Sequence, residues 1–181
     1  MTPEEVDEFK CGNGSDNYLV RFIRDGESPQ FIIKKDTRIT ITKRIQRDVY
    51  PYLTEAYFAD LNRDGKSDLI LINPSSGAGL GSESCNVIIA LSTEKGLALP
   101  TISSMGFRQE NVIDFFTNGH AQIVQGEFIN GTKGKDGKVH NYWVYSFLDV
   151  VRNELQPSNQ IPQRWIMFAG EKIHKPTQQL S

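Results

Sequence analysis

The chain has 181 residues, a length that suits one domain, and 38% of them are hydrophobic, enough for a packed core. Its 20 lysines and arginines stand against 22 acids, a formal charge of -2, so it lacks the basic excess that marks nucleic-acid binders. No apolar run approaches the roughly 18 residues of a helical membrane span.

In chain order, the opening Met1-Thr-Pro-Glu-Glu-Val offers no clear strand and no basic, apolar leader. That leaves two settings: a cytosolic protein, or a mature exported one whose leader has been removed. The first roughly 10 and last roughly 7 residues are expected to fray, around a single domain spanning 1–181. Cys11 and Cys85 each sit among Gly, Ser and Asn. An even count fits one disulfide or two free thiols. The bridge is the expectation, because exposed loop thiols are a liability in a reducing compartment.

Strand signals dominate from Tyr18 onward. Tyr18–Ile23 is apolar with partial alternation, and Asp25-Gly-Glu-Ser-Pro29 turns the chain. Phe31–Ile33 reopens extension, and Arg38–Thr42 alternates strictly, with Ile39 and Ile41 on one face. Further runs follow at Ala56–Ala59, Leu69–Ile72, Asn86–Leu91, Ala121–Val124 and Val139–Phe147. Gly134-Lys-Asp-Gly137 reads as a hairpin tip. Gln46–Tyr52 and Arg108–Phe115 are the candidate short helices, with Pro51 limiting the first. Thr101–Phe107 and 157–162 read as connections. Trp165–Phe168 reads as a core or edge strand.

Asp60-Leu-Asn-Arg-Asp-Gly-Lys-Ser-Asp68 carries the most chemistry. Calcium takes six to eight oxygens, mainly from carboxylates and carbonyls. Asp60, Asn62, Asp64 and Asp68 fall at positions 1, 3, 5 and 9, and Gly65 allows a tight bend at position 6. Lys66, at position 7, would donate its backbone carbonyl. Three carboxylates so close repel one another unless a cation sits among them. An EF-hand would need a glutamate at position 12 and an exiting helix, whereas Leu71 stands there within a strand-like run.

The stretch Phe58-Ala-Asp-Leu-Asn-Arg-Asp-Gly-Lys-Ser-Asp-Leu-Ile-Leu71 resembles the FG-GAP/VCBS-type calcium-binding repeat, over residues 56–73. In that family the loop joins strands of a β-propeller blade and binds calcium. The resemblance therefore implies Ca2+ held by Asp60, Asn62, Asp64, Lys66 and Asp68. A propeller needs several copies. The other stretch of similar rhythm, Phe128–Lys138, has lysines and glycines where ligands should stand. The expected fold is therefore mainly β, with antiparallel sheets, short helices and one propeller-blade-like calcium loop, short of a full propeller.

Other signals are weaker. Ser75–Ser82 is glycine-rich but lacks the Gly-Lys-Ser/Thr ending of a phosphate loop, so it reads as a hairpin connection. His120, His140 and His174 lie far apart, with no paired zinc spacing. No Gly-x-Ser-x-Gly elbow is present. Glu83, Glu110, Asp114 and Glu127 could supply a carboxylate pair, but any acid-rich chain offers such candidates. Lys133, Lys135 and Lys138 make a basic hairpin tip. Together with Gly77 and Gly79 they are the candidate partner contacts.

Calcium is abundant outside the cytosol. The loop and the cysteine pair thus agree on a periplasmic or secreted setting. The expectation is a non-catalytic calcium-binding protein that binds another protein, as an immunity or inhibitor protein against a bacterial toxin would. Alternatives are a carbohydrate-binding or adhesion module, with exposed aromatic rings, and a hydrolase with a converging polar pocket.

Overall fold

The computed structural model describes residues 5–13, 16–24, 30–35, 39–44, 55–74 and 84–168. They form a mainly β protein of three antiparallel sheets. The first sheet is a simple meander of β1 (Glu5–Asn13), β2 (Asp16–Arg24), β3 (Gln30–Lys35) and β4 (Ile39–Arg44). The second runs β5 (Glu55–Ala59), β6 (Asp68–Pro74), β7 (Ser84–Thr93) and β8 (Gly96–Ala98), with β9 (Thr101–Met105) also pairing with β7. The third runs β10 (Val112–Ile113), β11 (Gln122–Lys133), β12 (Val139–Val151) and β13 (Glu154–Pro157), with β14 (Arg164–Met167) also on β12.

The second sheet is the middle layer. Leu69, Leu71, Ile88 and Ala90 point to one side and pack with Tyr18, Val20 and Ile33 of the first sheet. Their neighbours Ile70, Ile72, Val87 and Ile89 point to the other side and pack with Ile123 and Leu148 of the third. Strand side chains alternate between faces, so a strand covered on both faces loses its alternation in the sequence. The unbroken Leu69-Ile-Leu-Ile72 run is that case, and all four residues are buried. On β1 and β2 the pairing of Glu8 with Arg21 instead carries an ion pair at 2.9 Å.

Several expectations are revised. Strand β1 begins at Glu5, where the sequence gives no clear strand signal. Thr101–Met105 is a strand rather than a connection, because its residues pair with Ser84–Ile88. Arg108–Phe115 is not an α-helix, and the described residues contain none. Only Gln109–Asn111 turns, as a 3-10 helix, before Val112 and Ile113 join β11. Asn111 fixes that exit by accepting from Arg108 N and donating to Val124 O. Gln46–Tyr52 and the tail from His174 lie outside the described residues. Trp165–Met167 is an edge strand, as its composition suggests.

β9 crosses closely over β11. Ser104 Oγ accepts from Gly126 N at 2.9 Å, and a Cβ on Gly126 would meet the Met105 carbonyl oxygen at 2.8 Å. That oxygen is backbone held in β9, which leaves it little room to yield. Gly126→Ala should destabilise the protein by about 1–3 kcal/mol, the usual range for overpacking, read from the denaturant midpoint. An unchanged midpoint would show that β9 does not seat on β11 as described.

Candidate functional site

The loop Asp60–Asp68 is built by its own polar side chains. Asp60 accepts from Arg63 N at 2.8 Å and Gly65 N at 2.9 Å. Asn62 Oδ1 accepts from Asp64 N at 3.1 Å, and Asp64 Oδ1 accepts from Lys66 N at 2.9 Å. These are Asx-type turns, in which a short polar side chain replaces a backbone acceptor. Arg63 and Gly65 take left-handed conformations, with φ of 65° and 76°. Asp64 and Lys66 are exposed, and Asn62 is half-buried.

Asp68 closes the motif at the start of β6. It is fully buried. One oxygen accepts from Leu61 N at 3.0 Å, and the other accepts from Ser92 N at 2.8 Å. It therefore latches the loop to the start of β6 and to the end of β7. Burial pushes its carboxyl up to about 6, against the pull of those two N–H groups, and the neighbouring Asp64 and Asp60 charges add to the rise.

Ser92 ties the loop into the middle sheet and the first. Asn62 Nδ2 donates to Ser92 O at 2.6 Å. Lys35, buried on the first sheet, donates from Nζ to Ser92 Oγ at 2.8 Å and pairs with Asp16 at 3.1 Å. A loop that looks local in the sequence is thus fixed by Lys35, Asp16 and Ser92. Spacing alone could not have found these residues, because each contributes through a contact across strands or sheets.

A second loop of the same build follows 54 positions downstream, at Asp114-Phe-Phe-Thr-Asn-Gly-His-Ala-Gln122. Asp114 accepts from Gly119 N at 2.7 Å, as Asp60 does from Gly65 N. Asn118 Oδ1 accepts from His120 N at 3.1 Å, matching Asp64 and Lys66. Thr117 and Gly119 take φ of 51° and 80°, matching Arg63 and Gly65. Gln122 is fully buried and accepts from Phe115 N at 3.2 Å, matching Asp68 and Leu61. The two loops touch, since Ala121 N donates to Asp60 O at 2.9 Å.

The match extends through the sheets. In each, the loop leads into the next strand, a tight hairpin links the long strand to a short one, and a second short strand returns to the long strand's beginning. The expectation of a single such unit is therefore revised, because the loop and strand pairing of the second sheet recur in the third. Phe128–Lys138 belongs to the β11–β12 hairpin, with Gly134–Gly137 at its tip. The repeat was readable as Asp, then Asn-Gly four positions on, then Gln before an apolar strand. Phe116 at position 3 and neutral residues at positions 5 and 9 concealed it.

The comparison separates what shapes the loop from what could bind an ion. Asp at position 1, Gly at position 6 and the left-handed conformations at positions 4 and 6 are kept, and position 9 keeps its bond to the N–H after position 1. The second loop has Phe116 for Asn62, Asn118 for Asp64 and Gln122 for Asp68. The loop fold therefore needs no cluster of charge. Asp114 illustrates the point: burial raises its carboxyl, but four backbone N–H groups more than offset this and hold it below the usual range. Among the described residues no three acidic, histidine or cysteine side chains converge as a metal-holding group. With Asp68 fully buried, the other oxygens of the motif are those of the Asp60, Asn62 and Asp64 side chains and the Lys66 carbonyl. That donor set is all oxygen, which suits a hard cation.

The remaining candidates lie elsewhere. Gly77 and Gly79 lie outside the described residues. Lys133, Lys135 and Lys138 sit at the far end of β11, away from both loops. A shallow cleft lined by Ser84, Ser103, Met105, Phe128 and Ile129 holds one ionisable side chain, Glu127.

The expected disulfide is not formed. Cys11 packs against the core between the first and second sheets, and Cys85 lies in the core between the second and third. The middle sheet separates them, and Cys85 Sγ donates to Ser104 O at 3.4 Å. Burial pushes the Cys11 thiol up to about 11 and raises that of Cys85 as well. Unfolded without reductant, the protein should titrate both thiols, while native Cys85 should react far more slowly than a model thiol. An unfolded chain with no free thiol would contradict this placement.

No family model, curated protein or solved structure matches the chain, so what it is similar to rests on the loop alone.

Proposed function

We propose that the chain is a calcium-stabilised, non-catalytic protein-binding module that works outside the cytoplasm. The observation that carries the calcium reading is the contrast between the two loops. They share one backbone shape, and the first carries an oxygen ligand or a charge where the second has Phe116, Asn118 and Gln122. Asn62, Asp64 and Asp68 each bond backbone groups in the first loop, but the second loop keeps its shape with no oxygen at position 3 and no charge at positions 5 and 9. A cation gives the extra oxygen and the two extra charges of the first loop a common use.

A calcium ion would be held by Asp60, Asn62, Asp64 and the Lys66 carbonyl. Asp68 would add its charge from behind, and each of its oxygens has a second lone pair. The extracytoplasmic setting follows from the modest affinity of such loops and the abundance of calcium outside cells. The cysteines no longer contribute to that argument. An inhibitor or immunity protein, which acts by occupying a partner's surface, suits a rigid β protein of this size.

Calcium at about a hundred times its Kd should raise the melting temperature by about 5–10 °C. Asp64→Ala should abolish the rise. Identical melting curves with and without chelator would contradict the reading.

A further inference from the structure

The β11–β12 hairpin has strands of 12 and 13 residues, against 7 and 10 in the matching β6–β7 pair. The extra length forms an arm pointing away from both loops. β14 runs beside β12 along this arm, and no described strand pairs with its other edge. An open edge presents unpaired N–H and C=O groups that can template another strand.

The side chains beside that edge are set for contact. Trp165 and Met167 are 50% and 52% exposed. The Tyr142 ring stands edge-to-face with Trp165 at 5.7 Å and with His140 at 6.2 Å, and Trp165 Nε1 donates to Gln163 Oε1 at 3.0 Å. The aromatic anchor is therefore held in place before any partner arrives, which lowers the entropy cost of binding.

Charge selects the partner. Lys133, Lys135 and Lys138 at the tip and Arg164 on β14 are exposed, and none forms an ion pair with a described residue. Of the acids on the arm, Asp136 is tied to His140 at 2.9 Å, which leaves Glu127. A basic segment would be repelled here, and a neutral sugar would stack on Trp165 but gain nothing from the lysines.

We propose that the β14 edge and hairpin arm dock an extended acidic segment of a partner polypeptide. The segment adds as a strand to β14, lays an apolar side chain on Trp165 and Met167, and sets carboxylates against Arg164 and the tip lysines. This rests on the protein-binding reading and is independent of calcium.

The test uses the full chain and a fluorescein-labelled peptide of alternating glutamate and valine, followed by anisotropy. The wild type should bind it, with affinity falling as salt rises, and should ignore the lysine–valine counterpart. Trp165→Ala, and separately Lys133→Glu with Lys135→Glu and Lys138→Glu, should each weaken binding by about tenfold or more at an unchanged melting temperature. Equal binding by wild type and variants would overturn the arm while leaving a protein-binding module intact. No binding of the acidic peptide, with maltohexaose quenching Trp165 emission instead, would overturn both.

Discussion

Asp68→Ala should cost about 3–5 kcal/mol, because it strips the acceptors from two N–H groups that are buried with it. Leu61 N and Ser92 N both donate to this carboxylate, and the site is closed to water. The two bonds also hold different parts of the fold. One closes the loop on itself, and the other pins it to the end of β7, where Lys35 arrives from the first sheet. Asp68→Asn should fall between wild type and alanine. Its oxygen can keep Leu61 N, as Gln122 keeps Phe115 N, but its amide then faces the Ser92 N–H. The second loop shows the same deficit, since Gln122 Nε2 is buried without a partner among the described residues. Chemical denaturation of the three proteins checks the order. An alanine variant within about 1 kcal/mol of wild type would show that the latch is not load-carrying.

The metal-free protein should lose stability as pH rises from about 4 to about 6, and Asp68 is again the cause. Its carboxyl titrates near 6 when folded, well above the ordinary aspartate value. Between the two values the folded state holds a proton that the unfolded state has released. Stability therefore falls through that window, by about 2–3 kcal/mol from this group, and then levels off. The carboxyls of Glu8, Asp114 and Asp136 are shifted the other way. Their contribution is present above the ordinary carboxylate value and is lost below it, so it acts at more acidic pH. Asp68 should dominate between 4 and 6. A bound cation favours the ionised carboxylate, so the gain from calcium should grow through the same window and be largest above pH 6. Melting curves across pH, with calcium and with chelator, measure both. A metal-free protein that gains stability from pH 4 to 6 would contradict the buried charge.

Much of the fold was legible because strand chemistry is local. Tyr18–Ile23, Ile39–Thr42 and Val139–Phe147 all fall within strands. The first loop was legible because its side chains bond to their own backbone within a few residues. What the sequence concealed depends on distant partners. Thr101-Ile-Ser-Ser-Met105 mixes small polar residues and becomes a strand by pairing with β7. Val112 and Ile113 gave way to β pairing where a helix was expected, because β11 offers a free ladder. Cys11 and Cys85 looked alike in composition, yet the middle sheet lies between them. The second loop was hidden for a different reason. A ligand search looks for oxygens, and Phe116 and Gln122 satisfy the backbone without supplying the charge.

The paired loops lead to the central proposal that, of two loops with one shape, the first would hold a calcium ion and the second none. Calorimetric titration of the chelator-treated protein with calcium at neutral pH tests it most directly. One calcium should bind per chain, and Asp64→Asn, which gives the first loop the second loop's residue at position 5, should weaken that site strongly. No heat of binding, or two equivalent sites per chain, would contradict the account.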